Sequence, residues 1–283
     1  MGGLFSGLGK LGLSKMENME VFDKEEKRKE EVEEVKQEVH VLEEKDMLYD
    51  KTYSCPICDR SIKCKTVKTG KAKLVSVDTD LRPKYQDIDC IKYDVVMCED
   101  CGYSAMTRFF SSISSTQIKW IKEEICSNYK PISFDGETYT YDEAILRYQL
   151  ALANSVVKKA KVSERAYACL KLAWLYRGKA ENLDTSAPDY EQQLENAKKE
   201  EQDYITSAYE GFIDAMKNEM FPICGMDEAT YTYVTADLAR RCKDYDAASK
   251  LVSQLLVSRM ASAKVKDRAR ELRDIIKEEL QGK

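Results

Sequence analysis

Four cysteines carry the clearest chemistry in this chain, in the segments Cys55-Pro56-Ile57-Cys58 and Cys98-Glu99-Asp100-Cys101-Gly102. A Cys-x-x-Cys pair sets two thiolates on one tight turn, where backbone N–H groups can also point at sulfur. Two such turns facing each other complete a tetrahedron around a single ion. Pro56 stiffens the first turn, and Gly102 offers a residue that tolerates positive φ just past the second. The expectation is one Zn2+ held by Cys55, Cys58, Cys98 and Cys101, structural rather than catalytic, because four thiolates leave no open coordination position. Cys64 and Cys90 lie in the same stretch, where either replaces one of the four or packs as a small apolar side chain. Redox-active dithiols are the competing reading of the two pairs.

Other catalytic chemistry is thin. His40, the one histidine, lies in a run of Glu, Lys and Val that reads as a solvated helix face, so triads and His-Glu-x-x-His metalloprotease sites have no imidazole to use. No pair of carboxylates is singled out by spacing, and the chain is expected not to be an enzyme. Charged residues make up 34% of its 283 residues, mean hydropathy is −0.53, and no run of about 18 apolar residues occurs, which excludes a membrane-spanning helix. Six of the ten cysteines fall between Cys55 and Cys101, and the start of the chain does not read as a secretory signal. A reducing cytoplasm with thiolates serving a metal fits that usage.

The elements that must position the four thiols follow from the pattern around them. Residues 1–46 hold a Gly- and Leu-rich start and a Glu/Lys segment whose Val32, Val35, Val39 and Leu42 make too short a seam for a coiled coil, so they read as a charged, partly disordered arm. Short apolar, β-branched runs such as Leu74–Val77 and Tyr93–Met97 read as strands of a small ribbon over 47–110. Helical periodicity then holds over 111–283, with interruptions near Pro131, over 181–200 and at Pro222–Gly225. One helical pattern occurs three times: Tyr141, Ala144, Tyr148, Ala151; Ile205, Ala208, Phe212, Ala215; Tyr245, Ala248, Val252, Leu255. Its spacing resembles the second helix of a tetratricopeptide repeat, with first helices around Leu172–Tyr176 and Thr230–Cys242.

That alignment turns Tyr167, Trp174 and Arg177 of one repeat, and Tyr233, Asp237 and Arg240 of the next, toward a concave face. Aromatic and Arg side chains there suit an extended peptide or helix with acidic groups. The 181–200 insert or the N-terminal arm is the alternative occupant. Between Arg60 and Lys84 there are eight basic residues and two acidic ones, so nucleic-acid contact by the ribbon stays open, although the net charge of −5 and the scarcity of stacking aromatics count against it.

The segments Leu48-Tyr49-Asp50-Lys51, Asp78-Thr79-Asp80 and Tyr93-Asp94-Val95-Val96-Met97, read together with the cysteine turns and Gly102-Tyr103, resemble the bacterial family known as domain of unknown function 2225, over roughly residues 47–260. Glu99 stands where that family often has Pro. The resemblance implies a bacterial, cytoplasmic protein with a cysteine-rich ribbon and repeat-like helices, and it implies no activity. The expected fold class is α+β, mainly α: a small zinc-ribbon β domain followed by a tetratricopeptide-like helical-repeat domain. The expected role is a non-enzymatic zinc-binding adaptor or scaffold with a protein- or peptide-binding groove, a nucleic-acid-associated factor or thiol redox sensor being the alternatives.

Overall fold

A computed structural model of the chain describes residues 43–282, so the arm read over 1–46 lies almost wholly outside the described residues. Glu44–Met47 form a 3-10 turn that leads into the first strand. Among the described residues six short strands then pair as three antiparallel ribbons: β1 (Leu48–Ser54) with β2 (Ser61–Val67), β3 (Leu74–Val77) with β4 (Pro83–Tyr85), and β5 (Val95–Met97) with β6 (Ser104–Met106). In the first ribbon the register runs from Leu48 opposite Val67 to Ser54 opposite Ser61, and in the third from Val95 opposite Met106 to Met97 opposite Ser104. Each of these two ribbons thus closes on one of the cysteine turns. Tyr93 is not in a strand as expected: it ends a 3-10 turn, Cys90–Tyr93, whose Asp89 cap accepts a hydrogen bond from the Ile91 N–H.

Seven α-helices follow among the described residues: α1 (Ser115–Ile121), α2 (Tyr141–Val157), α3 (Val162–Glu181), α4 (Tyr190–Asn218), α5 (Glu228–Arg241), α6 (Tyr245–Val257) and α7 (Ala263–Gln281). Thr140, Asp227, Asp244 and Ser262 cap α2, α5, α6 and α7 by accepting a backbone N–H of the first turn. Lys161 gives α3 no such cap. Glu219, from the loop after α4, serves instead, taking the Ser163 N–H at 2.9 Å and its hydroxyl at 2.6 Å. The polar stretch expected to break the helices over 181–200 is non-helical only from 182 to 189. Strong helix formers such as Glu, Lys and Gln carry α4 back to Tyr190, and Ala197 is buried.

Successive helices pack on one another, α3 on α4 and α5 on α6 most extensively. The residues of the threefold pattern form the seam: Ala144, Tyr148 and Ala151 of α2, Ala208, Phe212 and Ala215 of α4, and Ala248, Val252 and Leu255 of α6 are all buried. Small residues set how closely helices approach. A Cβ added to Gly211 of α4 would lie 2.6 Å from the Ala166 Cβ of α3. The third ribbon is built into this core, since Ile91, Val95 and Met106 pack with residues of the helices. Strands and helices together make an α+β fold that is mainly α. Among the described residues, no helix is long and apolar enough to cross a membrane.

Candidate metal centre

The two cysteine turns have the same backbone construction. In the first, the Cys55 N–H donates to the Arg60 carbonyl and the Asp59 N–H to the Cys55 carbonyl, both at 2.9 Å. In the second, the Cys98 N–H donates to the Tyr103 carbonyl at 2.8 Å and the Gly102 N–H to the Cys98 carbonyl at 2.9 Å. Each turn needs a left-handed residue directly after its second cysteine, and Asp59 (φ 60°) and Gly102 (φ 76°) supply it. Only glycine fits the second, because a Cβ there would lie 2.5 Å from the Tyr129 ring. Arg60 reaches across from the first turn to pair with Asp100 of the second.

The four sulfurs lie within 4.8 Å of one another, with Cys55 to Cys101 at 3.7 Å and Cys58 to Cys98 at 3.6 Å. A tetrahedral ion with metal–sulfur bonds of about 2.3 Å needs sulfurs about 3.8 Å apart, so the set fits one ion with all four positions filled by the chain. None of the four is in a disulfide, and Cys55, Cys98 and Cys101 are buried. Hydrogen bonds from Cys101 and Cys98, helped by the Cys58 and Ile57 N–H groups, hold the Cys55 thiol down at about 4, while the same sharing raises Cys101. Ile57, Ile62, Val96, Tyr103, Ala105 and Phe110 enclose it, and the Tyr103 hydroxyl donates to the Phe110 carbonyl at 2.9 Å.

Cys64 and Cys90 do not join the cluster. Cys64 is buried against the Met97 carbonyl and the Arg147 guanidinium, and burial raises the Cys90 thiol to about 11. Sequence reasoning missed three residues that matter here. Arg147, fully buried on α2, donates to the Val95 carbonyl at 3.2 Å and stacks over the Tyr139 ring at 4.3 Å. Asn154, also on α2, donates to the Gly102 carbonyl at 3.0 Å and so ties the helices to the second turn. Cys126 packs against the apolar cluster that contains the four cysteines, and burial raises its pKa. Its position gave no signal, since it lies outside both pairs.

The six residues expected on an open concave face are placed otherwise. Trp174, Tyr233 and Asp237 are buried, and the Lys171 ammonium lies over the rings of Tyr167 at 5.2 Å and Trp174 at 4.9 Å. Arg177 and Arg240 spend their guanidinium groups on carboxylates and a hydroxyl. The reason is the turn between β3 and β4, which enters this face and brings Asp78, Thr79 and Asp80 with it. Asp80, with no exposed surface, takes Arg177 Nη1 at 3.1 Å and Nη2 at 2.6 Å, and Asp78 takes Nη1 at 2.9 Å. The Thr79 hydroxyl donates to Asp237 at 2.9 Å and accepts from Arg241 at 3.1 Å. Among the described residues it is this turn, and not the 182–189 loop, that occupies the face; the arm lies outside the described residues.

The same docking changes the reading of the basic stretch. Arg82 is 3% exposed and pairs with Glu181 at 3.0 Å, and Lys84 reaches Glu181 at 2.9 Å and Asp78 at 3.3 Å. Lys63, Lys71 and Lys73 remain exposed.

Residues 48–276 match the family described as "Uncharacterized protein conserved in bacteria (DUF2225)". No curated protein and no solved structure matches the chain.

Proposed function

The chain belongs to the DUF2225 family, and we propose that it is a non-enzymatic, zinc-binding scaffold of the bacterial cytoplasm whose tetratricopeptide-like helices recognise a protein or peptide segment. The carrying observation is the tetrathiolate geometry. Four sulfurs at tetrahedral spacing, enclosed by apolar side chains, suit a structural ion, and zinc is the usual choice for a set of four cysteines. Such an ion would fix the two cysteine turns face to face and supply folding energy. The helical part contributes recognition: α3 and α5 present guanidinium groups in a row, and they already bind an acidic turn within the chain.

The nucleic-acid reading draws less support, because Arg82 and Lys84 are engaged by carboxylates instead of lining a free stripe. Thiol sensing draws some from Cys126, which packs against the cluster that holds the four cysteines. The test is metal analysis of the purified chain together with capture from bacterial extract by immobilised wild type and by the Arg177→Glu, Arg240→Glu variant. About one zinc per chain, and a protein retained by the wild type and lost by the variant, is the expected result. No zinc under reducing, chelator-free conditions, or the same proteins on both matrices, overturns it.

A further inference from the structure

The groove on α3, α5 and α7 has donors left over once the helices' own acids are counted. Glu201 takes Arg177 Nε at 2.7 Å, Asp237 takes Arg240 Nε and Arg241 Nε at 2.9 Å each, and Glu279 takes Arg240 Nη1 at 2.6 Å. Both terminal nitrogens of Arg177 remain, together with Nη2 of Arg240 and of Arg241. These are what the Asp78-Thr79-Asp80 turn engages, two carboxylates for Arg177 and a hydroxyl between them for Arg240, Arg241 and Asp237. The arrangement reads a motif: a hydroxyl side chain flanked by two carboxylates on a tight turn, which the Asp78 N–H to Arg82 carbonyl bond at 2.9 Å closes.

Beyond the tip the hairpin is held by Arg82 and Lys84 on Glu181, by Leu81 against the helical core and by Tyr85 against a small cluster with Leu48 and Tyr93. Its strands have four and three residues, and Leu74, Val75 and Ser76 are exposed. A two-stranded hairpin is marginal in water on its own. Its place is therefore set largely by charged contacts, those of Asp80 on Arg177 and Arg241 and those of Arg82 and Lys84 on Glu181.

From this we infer that the β3–β4 tip is an internal ligand, a latch over a carboxylate-recognition groove, and that the partner the groove fits is a peptide presenting an Asp-Thr/Ser-Asp turn, which binds when the latch opens. The inference rests on the scaffold reading and deepens it by naming the partner's chemistry and its competitor. The tip would lower apparent affinity for any such partner by the fraction of molecules in which the groove is covered.

The experiment uses the full chain and a fluorescein-labelled peptide of residues 74–85 as probe, followed by anisotropy. Asp78→Asn with Asp80→Asn removes both tip charges with little change of shape. This double variant is expected to bind the probe at least tenfold more tightly than wild type, and a probe carrying the same two substitutions is expected not to bind. Equal affinity for both proteins, or none for either, overturns the latch. Should the double variant not fold, hydrogen exchange on the wild type decides. Amides of residues 78–82 are expected to exchange at least tenfold faster than those of buried α3 and α5 segments, and faster again with excess unlabelled peptide. Exchange of residues 78–82 only in step with global unfolding overturns the proposal. Absence of zinc would sink the scaffold reading without moving either result, so the two failures are distinguishable.

Discussion

Arg177 grips Asp80 through two parallel hydrogen bonds, Nη1 to Oδ1 at 3.1 Å and Nη2 to Oδ2 at 2.6 Å, between residues 97 positions apart in the chain. The carboxylate is fully buried, so its charge is compensated by the guanidinium rather than by water. Asp80→Ala is expected to cost about 3–5 kcal/mol, the usual result of breaking one side of a buried pair. Urea denaturation of the wild type and the variant measures it. A cost below about 1 kcal/mol, the range of surface pairs, would contradict the buried pairing.

The same pair sets an acid limit. Burial works to raise the Asp80 pKa, but Arg177 and then Arg241 outweigh it and leave the group below its ordinary value of 3.8. A depressed folded-state pKa contributes stability that is fully present above the unfolded-state value and is lost as pH falls through the folded one. The difference in melting midpoint between wild type and Asp80→Asn should thus be steady near neutrality and shrink below pH of about 3.8. Taking the difference removes the acid sensitivity of the thiolates, which both proteins share. A difference independent of pH would show that Asp80 is not ionised when folded.

Metal binding should depend on four sulfurs only. Cys98→Ser is expected to abolish stoichiometric zinc and to lower the midpoint of the whole described fold in one transition, because Val95 and Met106 of the third ribbon share a core with the helices. Cys64→Ser and Cys90→Ser should keep about one zinc per chain. Elemental analysis and thermal melts check both. Zinc retained by Cys98→Ser would mean that another thiol completes the site.

Glycine in a helix interior is ordinarily improved by alanine, by about 0.5–1 kcal/mol. Gly178 of α3 should reverse that sign. Its added Cβ would lie 2.6 Å from Tyr141 Cε1 and 3.0 Å from Arg82 Nη2, so either the tyrosine or the guanidinium must move. A loss of about 1–3 kcal/mol is expected for Gly178→Ala, read by urea denaturation. A gain in stability would show that this junction is loose.

Much of the architecture was legible because it is written in local spacing. The paired cysteines announced the four-sulfur cluster, and alanines at three- and four-residue intervals marked the faces that Ala144, Ala208 and Ala248 bury. What spacing does not carry is where a loop lands. Arg82 and Lys84 read as part of a basic surface run, and Asp78 and Asp80 as its minor exceptions, because nothing in residues 74–85 says that their countercharges are Arg177 and Glu181. Arg177, Asp237 and Arg240 were found as a set for the same reason they were misplaced: helical periodicity gives the face they share, while their contacts depend on a distant segment earlier in the chain. Arg147 was missed altogether, since a lone arginine in an amphipathic helix looks solvated until its partners, the Val95 carbonyl and the Tyr139 ring, are seen around it.

The two cysteine turns are separated by the whole β3–β4 ribbon, Cys58 and Cys98 standing 40 residues apart and Cys55 and Cys101 46 apart. During synthesis the first turn therefore leaves the ribosome as half a site, with two thiols and nothing opposite them. At about 5–20 residues per second it waits some seconds for its counterpart. In that interval Cys55 and Cys58 are open to oxidation or to a wrong metal, and α2, which holds the second turn through Asn154, has yet to appear. An ion held by all four sulfurs could be captured only once the second turn has emerged, so slow decoding between Cys58 and Cys98 would lengthen the exposure.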